Sequence, residues 1–245
     1  MIAREAVQPR WYSPFRETHN DYPLIRVHES DEYAEVDLGE AIMEFRLTYQ
    51  GPLFADRGRD DLREARRKHI HAIRHHFHKQ LKELWNVESR LKWMLGVRPD
   101  VSSPLTWMQQ FAKDNERHGI NWAPLITEKM GAVCGLDILF LRHEPKEGLI
   151  QSGDLDNRIK TLFDALTIPP QNQLPDQLDT TSEPDPFFCL LSDDKWIIEF
   201  KVTADRLLTP VEKQSDNDVH LLIAVRTFVS DHDRATVTIG GAIHR

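Results

Sequence analysis

Asp154-Leu155-Asp156-Asn157-Arg158-Ile159-Lys160-Thr161-Leu162-Phe163-Asp164-Ala165-Leu166 is the stretch on which the reading of this chain turns. It follows Ser152-Gly153, a turn signal, and stops short of Pro169-Pro170, which cannot continue a helix. Leu155, Ile159, Leu162, Phe163 and Leu166 recur at three- and four-residue steps, which predicts an amphipathic helix over 154–166. Asp154 suits its N-cap, and Asp156 its first turn, where negative charge is favoured by the helix dipole. Lys160 lies four residues from both Asp156 and Asp164, so the three share a face. A salt-bridge ladder on a surface helix explains those three charges but not Asp154. Two carboxylates so close repel unless a positive charge sits between them, and a divalent metal is the usual one.

A second acidic block follows. Ser192-Asp193-Asp194 leads into Lys195-Trp196-Ile197-Ile198-Glu199-Phe200-Lys201-Val202, where Trp196, Ile198, Phe200 and Val202 alternate with Ile197, Glu199 and Lys201. That is the period of a half-buried strand. Acids at the start of a strand and at the start of a helix are expected to meet in one cleft.

Taken in order, Asp-Leu-Asp-Asn-x-x-Lys, Asp-Ala-Leu, and Asp-Asp before an apolar pair, an acid, an aromatic and a basic residue resemble the RusA family of Holliday junction resolvases. The match runs over about residues 136–228, with a long interruption between helix and strand. The resemblance implies an α+β fold, a RusA-like mixed β-sheet flanked by helices. It implies a Mg2+-dependent endonuclease, with Mn2+ as substitute, that hydrolyses DNA phosphodiesters at Holliday junctions or other branched DNA. Asp154, Asp156 and Asp194 then match the metal-binding aspartates, and Lys160 the essential lysine. Asn157 and Asp193 match supporting positions. A homodimer is implied as well, its two-fold symmetry suiting a four-way junction. On this frame residues 1–40 form an N-terminal extension and 41–245 the nuclease domain, with insertions at about 86–132 and 169–188.

A chain of 245 residues can bury a substantial core. It contains no apolar run of transmembrane length and no signal-peptide pattern. Cys134 and Cys189 have no metal-type spacing and read as buried thiols in a cytoplasmic protein. The net charge of −8 argues against nucleic acid binding, but its distribution does not. Residues 57–82 hold nine Lys/Arg against three acids, whereas the first forty hold nine acids against four Arg. Arg63, Arg66, Arg67 and Arg74 on that basic segment, with Arg142 and Lys146 upstream of Asp154, are the candidate phosphate contacts.

Along the chain, short strands are expected at 24–27 and 34–38 in an acidic, aromatic-containing extension. A strand is expected at 42–49, with Met43, Phe45, Leu47 and Tyr49 on one face. A basic helix over about 60–85 follows, with Leu62, Ile70, Ile73, Phe77, Leu81 and Leu84 as its core stripe. His71, His75 and His78 on that helix have ligand-like spacing. With no carboxylate or Cys nearby in sequence to complete a set, a solvated polar face is the plainer reading. Residues 86–132 read as an insertion or lid with short helices at 87–95 and 105–117. Further strands are expected at 132–141, 220–228 and 235–243. The polar stretch 171–187 reads as a surface excursion or an acidic gate; it and the extension are the candidate surfaces for a protein partner. Two alternatives stand beside the junction resolvase: the same nuclease retuned to another DNA or RNA substrate, in a mobile-element or phage-defence role, and a non-catalytic nucleic-acid-binding scaffold.

Overall fold

The structure, a computed structural model, describes residues 41–55, 62–96, 105–143, 154–208 and 217–230. The strands expected at 24–27, 34–38 and 235–243, the N-terminal extension and Lys146 lie outside them. The fold is mixed α+β. Among the described residues six strands, β1 (Met43–Pro52), β2 (Trp122–Ile126), β3 (Ala132–Arg142), β4 (Phe187–Leu191), β5 (Ile197–Arg206) and β6 (Asp218–Val229), make two sheets. The helices are α1 (Arg63–Val87), α2 (Ser89–Lys92), α3 (Trp107–Asp114) and α4 (Asp154–Leu166).

The larger sheet has the order β1-β6-β3-β5, antiparallel except for β3 and β5, which run parallel. Parallel neighbours need a crossover, and α4 is in it. Met43, Leu47 and Tyr49 of β1, Leu221, Ile223 and Val225 of β6, and Leu136, Ile138 and Phe140 of β3 are buried in register on one face. That face carries α1, through Ile70, Ile73, Phe77, Leu81 and Trp85, and α4, through Ile159, Leu162, Ala165 and Leu166. The apolar stripe of α1 thus matches its expected period, except that Leu62 is 49 % exposed and precedes the helix. α1 also seals the free edge of β1. The Thr48 N–H donates to Gln80 Oε1 at 2.9 Å, and the Thr48 carbonyl accepts from Gln80 Nε2 at 2.7 Å. Those are the unpaired backbone groups that an edge strand otherwise presents to a neighbour.

The two stretches expected as insertions build a layer together. β2 and β4 pair in parallel and are buried along their whole length. Trp122 is wholly buried there against Phe187, at 4.7 Å between ring centroids. Their runs, Trp-Ala-Pro-Leu-Ile and Phe-Phe-Cys-Leu-Leu, lack alternation because neither face meets water. Both cysteines are free and buried, and burial pushes the Cys134 thiol up to about 12. α3 starts with a capping box. Thr106 Oγ1 accepts from the Gln109 N–H at 3.1 Å, and Gln109 Oε1 accepts from the Thr106 N–H at 2.9 Å. Among the described residues no helix is long and apolar enough to cross a membrane.

The alternation expected across 196–202 is broken. Asp194–Trp196 is a 3-10 turn, and β5 begins at Ile197. A bulge then pairs Cys134 with Ile197 but Gly135 with Glu199, so Ile198 has no partner. Glu199 falls on the sheet face away from α1 and α4, buried and ion-paired with Arg226 at 2.5 Å. Phe200 stays 57 % exposed at the sheet edge, against Phe163 of α4. Glycine at 135 is what lets Glu199 lie there, since a Cβ would come within 2.7 Å of Glu199 Cγ. The Gly135→Ala variant is therefore expected to lose about 1–3 kcal/mol of stability by overpacking, read as a shifted urea midpoint.

Candidate functional site

α4 forms over the expected 154–166, but its direction separates the acids. The chain leaves β3 at Arg142, enters α4 at Asp154, leaves it at Leu166 and starts β5 at Ile197. β3 and β5 are parallel, so α4 runs back between their ends. Asp154 and Asp156 begin the helix; Asp154 is its first residue rather than a cap outside it, and its side chain lies outside the described residues. Asp193 and Asp194 lie at the other end. The Ile168 N–H donates to the Leu191 carbonyl at 3.0 Å, holding the chain just after α4 beside the chain just before Asp193. Phe163, near the C-terminal end, meets Phe200 at 5.3 Å. From Asp156 to Asp164 the helix axis rises about 12 Å. The acids expected in one cleft are therefore split between the two ends of α4.

At the C-terminal end is a cleft of about 290 Å³, lined by Asp164, Gln173, Asp193, Asp194, Arg117 and His118 among others. Arg117 and His118 were not marked by the sequence. They arrive on a two-residue turn in which His118 and Gly119 both have left-handed φ, 59° and 80°, between paired Arg117 and Ile120. A two-residue hairpin needs that conformation, and Gly119 is the sequence signal for it. Asp193 caps the 3-10 turn, its Oδ1 accepting from the Lys195 N–H at 3.1 Å, while Asp194 is exposed in the cleft. At the other end Asp156 and Lys160 are exposed. Asn157 accepts through its backbone carbonyl from Thr161 Oγ1 at 3.1 Å. Arg158, inside the motif but unmarked, is buried and anchors α4 to the Leu53 carbonyl and to Asn217 Oδ1, the latter at 2.9 Å.

The expected phosphate contacts are mostly committed inside the protein. Arg66 pairs with Asp164 at 2.9 Å, and Arg67 pairs with Asp176. Arg74 is buried and donates to the Asp164 carbonyl at 2.8 Å. Burial brings its guanidinium down to about 10, so it stays charged at neutral pH. Arg142 is buried at the end of β3, and only Arg63 of the described set is exposed. The ladder expected within α4 also gives way, because Asp164 takes Arg66 of α1 as its partner. Burial raises the Asp164 carboxyl above its ordinary value, against the pull of Arg66 and Gln173.

Arg67 and Arg74 belong to one stripe. Glu64, Arg67, His71, Arg74, His75 and His78 recur at helical spacing along α1, and residues 164–188 supply its partners. Glu64 accepts from the Asp176 N–H at 3.2 Å, Glu183 meets His71 and His75 at 3.0 Å each, and His78 Nδ1 accepts from the Phe188 N–H at 2.9 Å. The stretch expected as an acidic gate is therefore fastened to α1 at Asp176 and Glu183. Among the described residues, His71, His75 and Glu183 are the one group of three metal-type side chains with ligand atoms within 4.8 Å. His78 is outside it, its Nδ1 serving β4.

No family model, no curated protein and no solved structure matches this chain.

Burial first, then the charges of His75 and Lys82, push His78 down to about 4. The unfolded chain takes up that proton near pH 6.5. The contribution is full above about pH 6.5 and is lost as pH falls toward 4, by roughly 1–2 kcal/mol for this buried ring. His78→Asn, whose Oδ1 can replace the Nδ1 acceptor, is expected to flatten the fall of thermal midpoint over that window.

Proposed function

We propose that the chain is a RusA-like, Mg2+-dependent endonuclease acting on branched DNA in the cytoplasm. The observation that carries this reading is the ordered motif, Asp154–Lys160 at the start of α4, where Asp156 and Lys160 are exposed, and Asp193–Asp194 in the turn before β5. Hydrolysis of a phosphodiester needs an activated water and a counter-charge on the phosphoryl oxygens. A bound Mg2+ supplies both, held by carboxylates. Asp154, Asp156 and Asp194 would hold it, and Lys160 would steady the developing charge on phosphorus.

The direction of α4 adds a requirement. One chain keeps Asp156 and Asp194 at opposite ends of a helix, so one ion cannot be held by both unless a second copy contributes. The homodimer then has a chemical purpose: the start of α4 from one chain meets Asp193–Asp194 of its partner, giving two composite sites related by a two-fold axis. Because Arg66, Arg67 and Arg74 are engaged within the fold, the exposed positive charge of α1 comes from Arg63, Lys68, Lys79 and Lys82 instead of the expected arginine face. That favours, as a second reading, a substrate other than the four-way junction, and a panel of junction, flap, linear duplex and single strands separates the two.

Asp156→Asn and Asp194→Asn are each expected to abolish Mg2+-dependent cleavage. Mixed and allowed to exchange subunits, they should recover about a quarter of wild-type activity, because half the dimers regain one intact site. No recovery from the mixture would refute the composite site, and full activity of either variant alone would refute the nuclease assignment.

A further inference from the structure

On the polar stripe of α1 two imidazoles and a carboxylate converge. His71 and His75 are one turn apart, so their rings share a face, with centroids 4.8 Å apart. Glu183 comes from the far side, just after the 3-10 turn Thr180–Ser182. His71 Nε2 lies 3.0 Å from Glu183 Oε1, and His75 Nε2 lies 3.0 Å from Oε2. The second contact lacks the alignment of a hydrogen bond, and Oε2 is buried with no such partner.

The charge is out of balance too. Glu183 is only 7 % exposed, and among the described residues its ion-pair partners are the two imidazoles, with no Lys or Arg. A buried carboxylate needs a compensating positive charge. Two imidazole nitrogens with one carboxylate are a donor set for a first-row divalent transition ion, whereas Mg2+ takes oxygens. Ligand atoms about 2.0–2.2 Å from a tetrahedral Zn2+ lie roughly 3.3 Å from one another. Two separations here, each to a different carboxylate oxygen, are 3.0 Å, and the three ligand atoms lie within 4.8 Å of one another, so closing on one ion takes at most about 1.5 Å of side-chain rotation at the widest pair.

We propose that His71, His75 and Glu183 form a zinc site with three protein ligands. The fourth position takes water on the side where His75 is 37 % exposed. The ion fastens the segment before β4 to α1, neutralises Glu183, and uses no residue of the nuclease site proposed above.

The test uses the full chain, stripped with a chelator, dialysed and titrated with Zn2+ by calorimetry. One ion per chain is expected, together with a rise in thermal midpoint. His75→Ala, a partly exposed position, should weaken binding by more than about tenfold while keeping the wild-type circular dichroism spectrum. Glu183→Gln, which keeps the shape and removes the charge, should do the same, whereas Asp156→Asn and Asp194→Asn should bind Zn2+ as the wild type does. Binding of less than one ion per chain, unaltered affinity in both His75→Ala and Glu183→Gln, or displacement by equimolar Mg2+ would each overturn the proposal.

Discussion

Two stripes on one helix organise the molecule. The apolar stripe of α1 seats it on the large sheet, and each fully buried side chain contributes about 1.5–3 kcal/mol. The polar stripe beside it contributes less net stability but decides what covers the helix. Leaving a buried polar group without its partner costs about 1–3 kcal/mol. His71, Arg74 and His78 therefore fix the path of residues 164–188 more firmly than their modest pairing energies suggest, while Glu64 and Arg67 hold Asp176 nearer the surface. That path sets the end of α4, the approach of β4 and the rim of the cleft.

The same constraint governs the chemistry. A helix that crosses between two parallel strands must run against them, and its ends lie about as far apart as it is long. Acids that neighbour one another in a motif, one block before a helix and one after it, are thereby held apart in a single chain. Symmetry can bring them together, since a two-fold axis sets unlike ends side by side as readily as like ones.

Much of this was legible in the sequence. The period of α4, the core stripe of α1, the alternation of β1, β3 and β6 and the irregular helices after α1 all follow from side-chain spacing. What was hidden depended on partners far away in the chain. Arg66 and Arg74 look like a phosphate-binding face because Asp164 and its carbonyl are about ninety residues distant. The histidines lacked a carboxylate until Glu183 arrived from a loop. β2 and β4 gave no alternation because neither shows a face to water, and the bulge at Gly135 shifted the phase of β5 through a strand that it meets only after α4.

The parallel pairing of β2 with β4 bears on how the chain is made. During synthesis β2 emerges complete, five apolar residues with both faces dry in the finished protein. Its partner follows only after the ribosome has read the whole of 127–186. Through that interval the nascent polypeptide carries an unmatched sticky segment, a natural client for a holdase. Premature release between Ile126 and Leu191 would leave a fragment prone to clump rather than a smaller working domain.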